Sequence, residues 1–170
     1  DVNPERTKAS QNNGTTKNGA TINRTIYKSG SGAAELDGTN DYITVSDSSS
    51  INSTRNFSYS AWVRADDFGD NGQILGKKGG AGQVGPSLTV LTTGAIEFQL
   101  SDDCTATVTA TSAEKLNTLT WYHLAAVHNG TMTIYKNAIA DGTVVFSGNH
   151  CNSGAQAFTI GTYNNGGGNF

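Results

Sequence analysis

Short runs in which apolar and polar residues alternate, separated by turn-forming residues, constrain the fold of this chain more than any other feature. Alternation with a period of two places successive side chains on opposite faces of a β-strand. In the segment 57–63 apolar residues alternate with serines, but Trp62 falls on the serine face. Bulk on both faces predicts a central strand that is covered on both sides near Trp62.

Turn signals recur at short intervals between these runs, and helical periodicity is nearly absent. Asn129-Gly130 is the strongest hairpin signal, because both residues tolerate the positive φ angles of a tight turn. We predict one all-β domain over residues 1–170, an antiparallel two-sheet β-sandwich or jelly roll with an irregular segment at 1–20. The predicted strands are 33–37, 42–45, 57–63, 73–75, 87–91, 95–100, 105–110, 121–127, 132–135, 143–146 and 158–160.

Charge and hydropathy argue against two classes of partner. The net charge is −3 and the densest basic spot is Lys77-Lys78, so the chain lacks the basic patch that phosphate neutralisation requires. We therefore expect no nucleic-acid binding. No apolar run approaches the roughly 20 residues of a membrane span, so we expect no membrane insertion. The absence of an initiator Met and of a signal peptide predicts a processed or excised polypeptide.

The two cysteines, Cys104 and Cys151, are open to two interpretations. They are either inert buried thiols or a disulfide, and the polar loop residues around both favour the disulfide. A disulfide implies an oxidising compartment, and five N-x-S/T sequons permit glycosylation in such a compartment. We therefore predict a secreted or extracellular protein.

Several segments resemble, in the same order, those of laminin G-like domains of the concanavalin A-like (pentraxin-related) family. They are AELDGTNDYITV at 34–45, FSYSAWV at 57–63, ILGK at 74–77, WYHLAAV at 121–127 with YKN at 135–137, and FTIG at 158–161. The resemblance implies two curved antiparallel sheets in a concanavalin A-like jelly roll. It also implies a role in binding glycans or other extracellular proteins, or in building a larger structure.

The chain departs from the family pattern in two places. Family members continue after the loop that here ends at Phe170 into a further strand, so the resemblance implies a sandwich that lacks the usual last strand. Another segment or another chain would then complete the sheet. In addition, Ala138 follows Asn137 where the family has Gly, which predicts a longer turn or a turn of another type.

Catalysis is not expected. Glucan-cleaving enzymes of this sandwich class carry paired carboxylates spaced E-x-D-x-x-E on one strand, where one acts as acid and the other as nucleophile. No such segment occurs, and Glu97 stands alone on its predicted strand.

Calcium is the candidate cofactor, because it binds hard oxygen ligands from loop carboxylates and carbonyls. Asp37, Asn40 and Asp41 cluster in one turn and are the candidate ligands. The alternative is turn chemistry, since Asp and Asn side chains also stabilise tight turns.

Sugar binding calls for exposed aromatic residues beside polar side chains. The candidates are Tyr163 with Asn164 and Asn165, and then Phe68 with Asp70 and Asn71. The alternative for both sets is an ordinary polar loop. Trp62 and Trp121 both lie within predicted strands, so we expect them in the core rather than at a sugar site.

These observations support two hypotheses about function. The first is an extracellular, non-catalytic module for carbohydrate binding or adhesion. The second is a structural subunit or domain of an extracellular assembly, such as a surface filament or a virion appendage, which self-assembles through completion of the missing strand.

Overall fold

The computed structural model of the protein describes residues 12–78, 84–151, 154–162 and 170. Thirteen strands lie in this part of the chain, together with a short 3-10 helix at Ser49–Ile51. The strands are β1 (Gly14–Lys17), β2 (Thr21–Asn23), β3 (Ala33–Glu35), β4 (Tyr42–Val45), β5 (Phe57–Val63), β6 (Gly72–Gly76), β7 (Ser87–Val90), β8 (Ile96–Leu100), β9 (Val108–Thr111), β10 (Tyr122–His128), β11 (Thr131–Lys136), β12 (Ile139–Val145) and β13 (Phe158–Ile160). No helix in the described residues is long and apolar enough to cross a membrane.

The strands form two large antiparallel sheets and one small hairpin. The first sheet has seven strands in the order β1-β4-β13-β6-β7-β8-β9, and the second has four in the order β12-β11-β10-β5. The remaining pair, β2 and β3, forms a separate two-stranded sheet. This arrangement confirms the predicted all-β sandwich.

The core lies between the two large sheets, where the inward side chains of both meet. On the seven-stranded sheet Leu88, Ile96 and Phe98 are completely buried, and on the four-stranded sheet Leu124 and Ile134 are as well. Alternation explains which side chains are buried, because in β8 and in most of β10 every second residue faces the core.

The strand β5 lies at an edge, and the prediction of a central strand for 57–63 is wrong. Its one neighbour in the described part of the chain is β10, with Trp62 opposite His123 and Phe57 opposite His128. Trp62 therefore adds bulk to a face that solvent reaches. A large apolar side chain on an outer face looks the same in sequence as one beneath a covering layer.

The polar N-terminal region is more regular than predicted. Residues 14–17 form the edge strand β1, which pairs with β4 so that Gly14 lies opposite Val45. All four residues of β1 are exposed, so no apolar side chain marks the strand in the sequence. The interpretation of 1–20 as irregular is therefore wrong for residues 14–17.

The hairpin connecting β11 and β12 corrects a third prediction, that of a longer turn or a turn of another type after Asn137. Its two turn residues, Asn137 and Ala138, have φ angles of 50° and 68°, as in a tight two-residue turn. Asn137 is held by the N-terminal part of β10: its N–H donates to the His123 carbonyl (2.8 Å), and its Oδ1 accepts from the His123 N–H (2.9 Å). These bonds hold the turn although Ala, unlike Gly, disfavours a positive φ.

The predicted disulfide between Cys104 and Cys151 is present, with Cα atoms 5.3 Å apart. It joins the loop after β8 to the loop before β13. A backbone contact also holds these two loops, since the Cys151 N–H donates to the Ser101 carbonyl (2.6 Å). The neighbouring His150 N–H donates to the Thr54 carbonyl (3.0 Å) in the segment before β5.

Candidate ligand-binding groove

The residues predicted to contact a sugar fall into two groups. Tyr163, Asn164 and Asn165 lie outside the described residues, so their role stays a prediction. Phe68 is partly buried and packs against the core. Asn71 Oδ1 accepts a hydrogen bond from the Thr92 N–H (2.9 Å), and Asp70 is exposed. This second group therefore has the contacts of an ordinary loop, which is the alternative interpretation.

The candidate calcium ligands also make turn contacts. Asp37 Oδ1 accepts hydrogen bonds from the N–H groups of Thr39 (2.8 Å) and Asn40 (3.2 Å), and these bonds, that from Thr39 most of all, lower the pKa of Asp37. Asp41 is buried and its Oδ2 accepts from the Asp37 N–H (3.3 Å).

These contacts use Asp37 Oδ1 and Asp41 Oδ2, whereas Asp41 Oδ1 is buried without a hydrogen-bond partner among the described residues. Calcium takes six to eight oxygen ligands, and the described residues contain no cluster of three or more acidic, His or Cys side chains that could hold a metal. The carboxylates of Asp37 and Asp41 act instead as acceptors within one turn. Calcium binding stays a prediction, and these contacts give it no support.

An exposed tryptophan lies on the outer face of the four-stranded sheet. Trp62 is 44% exposed, so the prediction that it lies in the core is wrong. Its ring lies beside that of His123 on β10, with ring centroids 5.3 Å apart and planes inclined at 60°. Cross-strand pairing explains this contact, because Trp62 and His123 are directly opposite each other.

A shallow groove of about 440 Å³ surrounds this aromatic pair, and we call it the Trp62 groove. The residues that line it are Lys28, Trp62, Trp121, His123, Asn137 and Ala138. Trp121 directly precedes β10 and is partly buried, so it is a wall of the groove rather than a residue of the central core.

Sequence reasoning missed this groove. Its residues come from four separate segments, and their proximity depends on the pairing of β5, β10 and β11. The available signal was Trp62 on the serine face of β5.

Lys28 reaches the groove from the loop between β2 and β3. Its Nζ lies 4.9 Å from the centroid of the Trp62 ring, within the range of a cation–π contact. Asn23 shapes the start of this loop, because its Oδ1 accepts hydrogen bonds from the N–H groups of Thr25 (2.9 Å) and Ile26 (2.8 Å). The lysine is therefore carried by a structured loop.

A second hollow, of about 400 Å³, lies beside β5 on the inner side of its sheet, and we call it the β5-edge groove. Its apolar walls come from Val45, Ile51, Phe57, Tyr59 and Phe158. Burial raises the pKa of the Tyr59 hydroxyl, as expected for a side chain packed among apolar neighbours.

Polar side chains also line the β5-edge groove, namely Asn12, Ser50, Ser53, Ser58, Lys77 and His150. Lys77 Nζ forms an ion pair with Asp47 Oδ1 (2.8 Å), and His150 is almost completely buried. Burial lowers the pKa of His150 to about 4, so this side chain is neutral at pH 7. The β5-edge groove therefore combines apolar walls with a polar lining.

The family comparison agrees with this architecture. The family model described as the concanavalin A-like lectin/glucanases superfamily matches residues 37–170. The resemblance inferred from the sequence motifs is thereby confirmed. No curated protein sequence matches the chain significantly.

Solved structures of the same fold include binding domains of toxins. The binding domain of Paraclostridial Mosquitocidal Protein 1 matches with a TM-score of 0.67 and 17% identity, over 88% of this chain and 39% of that one. The receptor binding domain of botulinum neurotoxin D matches with a TM-score of 0.64 and 19% identity, over 89% of this chain and 40% of that one. The binding domain of botulinum neurotoxin DC in complex with SialylT matches with a TM-score of 0.58 and 14% identity, over 87% and 38%.

This chain spans about two fifths of each of those proteins. At such identities the likeness establishes the fold alone.

Proposed function

This chain belongs to the concanavalin A-like lectin/glucanase superfamily, and we propose that within it the chain is a secreted, non-catalytic module that binds carbohydrate at the Trp62 groove. The observation that carries the proposal is the exposure of Trp62 on the outer face of the sheet. Small-molecule sites combine aromatic rings of this kind with a few polar groups that fix the orientation of the ligand.

The geometry of the groove suits a pyranose ring. The indole face of Trp62 can cover the apolar C–H face of a sugar, and burying an aromatic surface of this kind is strongly favourable. The Asn137 amide and the His123 ring lie along the same groove and supply polar contacts. A shallow groove open to solvent would take one or two sugar units of a longer chain.

The structural neighbours support the choice of carbohydrate. One was solved in complex with SialylT, and another comes from botulinum neurotoxin type C, whose cell entry depends on interaction with two ganglioside molecules. Because this chain spans about two fifths of those proteins, their ligands reach it only as part of this proposal. Binding to a glycan on a cell surface would make the chain an adhesion module.

The Cys104–Cys151 disulfide supports the extracellular part of the proposal. Structural disulfides persist in oxidising compartments and are rare in reducing ones. The described thiols are paired, with no free cysteine. A secreted glycan-binding module is the role that accounts for both the disulfide and the exposed aromatic groove.

A glycan array followed by calorimetry tests the proposal. We expect the wild type to bind a subset of glycans and Trp62→Ala to lose at least tenfold in affinity, because truncating a central aromatic anchor commonly costs about 2 kcal/mol or more. Val145→Ala is the matched control, since Val145 is 75% exposed on β12 and does not line the groove. Absence of any glycan ligand, or equal affinities for wild type and Trp62→Ala, would refute the proposal.

A second candidate function, a building block of an extracellular assembly, rests on a different observation. In the described part of the chain, β5 has a paired strand on one side only, and Phe57, Ser58 and Tyr59 of this strand line the β5-edge groove. A strand from another segment or another copy would pair with β5 and cover Phe57 and Tyr59. Analytical ultracentrifugation tests this function, and a strict monomer at about 100 µM or above would count against self-assembly.

A further inference from the structure

The side chains that line the Trp62 groove offer hydrogen-bond donors and no carboxylate. Lys28 has an ammonium group, and Trp62 and Trp121 have indole N–H groups. The Asn137 Oδ1 already accepts from the His123 N–H (2.9 Å), so the amide nitrogen is the group that remains for a ligand. The His123 ring can donate or accept, depending on its tautomer.

Lys28 differs from Arg64 and Lys136, two cationic residues that lie close in sequence to other residues of the groove. Arg64, two residues after Trp62, is paired with Asp66, and Lys136, next to Asn137, lies 3.7 Å from an Asp141 carboxylate oxygen. Among the described residues Lys28 has no ion-pair partner, and its Nζ lies near the Trp62 ring. The positive charge in the groove is therefore not neutralised by a described carboxylate.

We propose that the Trp62 groove selects a sugar that carries a negative charge, with the anionic substituent at Lys28 Nζ and the sugar ring against Trp62. This inference rests on the proposed carbohydrate function and adds the ligand class. An anionic substituent accepts hydrogen bonds and donates none, so it complements a groove whose free groups are mostly donors. Neutral sugar hydroxyls would need acceptors that these lining side chains supply poorly.

Paired oligosaccharides that differ in charge test the inference. The probes are 3′-sialyllactose and a hyaluronan tetrasaccharide, which carry carboxylates, a chondroitin sulfate tetrasaccharide, which adds sulfate, and lactose, which is neutral. Binding is measured by calorimetry at 50 and 500 mM NaCl. We expect at least one acidic probe to bind more tightly than lactose, and its advantage to shrink at high salt because the lysine is exposed. Comparison of the carboxylate and sulfate probes identifies the anion.

Substitutions at Lys28 separate charge from ring stacking. Lys28→Gln should weaken binding of the acidic probe by about fivefold, the upper range for an exposed ion pair, and so reduce the advantage of the acidic probe over lactose. Lys28→Arg should retain the preference. Lys17→Gln is the matched control, because Lys17 is an exposed lysine on β1 of the other large sheet.

The outcomes distinguish this inference from the proposed function. Lactose binding that equals or exceeds acidic binding and depends on Trp62 would overturn the charge preference and leave carbohydrate binding intact. An acidic preference that survives Lys28→Gln would overturn the assignment of the anion to Lys28. No binding of any probe, together with an empty glycan array, would overturn both.

Discussion

Reducing the disulfide between Cys104 and Cys151 tests how much this bond between two loops stabilises the folded chain. The bond connects the loop after β8, which follows a completely buried strand end at Leu100, to the loop before β13. The cross-link closes a segment of 47 residues that contains β9, β10, β11 and β12. Without it, the denatured chain gains the freedom to separate these loops.

The expected effect follows from that loop length. In the chain-entropy model, closing a loop of this size stabilises the folded state by about 4 kcal/mol. A chain of 170 residues has an unfolding entropy of about 0.36 kcal/mol/K at its melting temperature. Together these values predict a fall in Tm of about 11 °C on reduction.

Differential scanning calorimetry with and without a strong reductant measures this fall. The Cys104→Ser/Cys151→Ser variant should melt near the reduced wild type and should not respond to the reductant. A change in wild-type Tm below about 2 °C would refute the reasoning, because it would mean that the two loops stay restrained in the denatured chain without the cross-link.

Three further predictions concern the backbone and pH. Ala138→Gly should raise the free energy of unfolding by about 0.5–1 kcal/mol in urea titrations, because Gly adopts a φ of 68° without strain; an unchanged or lower value would contradict this. Gly142→Ala should lower the free energy of unfolding by about 1–3 kcal/mol, because the new Cβ would overlap the Thr111 carbonyl oxygen. The control Gly148→Ala has open space around its new Cβ and should be nearly neutral. Equal effects of the two substitutions would contradict this prediction. The pKa of His150, lowered to about 4 by burial, means that the unfolded chain binds a proton that the folded chain excludes, so stability should fall as pH decreases from 6.5 to 4. Denaturation at several pH values should show a shallower fall for His150→Gln, and identical slopes would argue against this role.

The local parts of the fold could be predicted from the sequence. The hairpin between β10 and β11 follows from Asn129-Gly130, and Gly130 has the expected positive φ of 95°. The pairing of β7 with β8 around Gly94 follows in the same way. In each case the turn residues and the flanking alternation are adjacent in sequence, so short-range patterns contain the information.

The wrong predictions concern places where long-range pairing decides the structure. The strand β1 has no apolar residue facing a core, and it exists because its backbone pairs with β4, from Lys17 opposite Tyr42 to Gly14 opposite Val45. The bulk of Trp62 suggests a covering layer, whereas β5 lies at the edge and its outer face is open to solvent. The Trp62 groove could not be predicted for the same reason, since Lys28 and Asn137 meet it only through tertiary contacts.

The hairpin of β2 and β3 pairs with neither large sheet, yet its loop brings Lys28 to the Trp62 groove. The aromatic pair of the groove, Trp62 and His123, therefore lies on paired strands of a large sheet, whereas Lys28 lies on a loop outside both large sheets. Changes at Trp62 or His123 act on the paired strands, whereas residues 24–32 can vary in length and charge while both large sheets keep their pairing. We therefore expect that exchange of this loop alone would change the ligand preference proposed for the Trp62 groove.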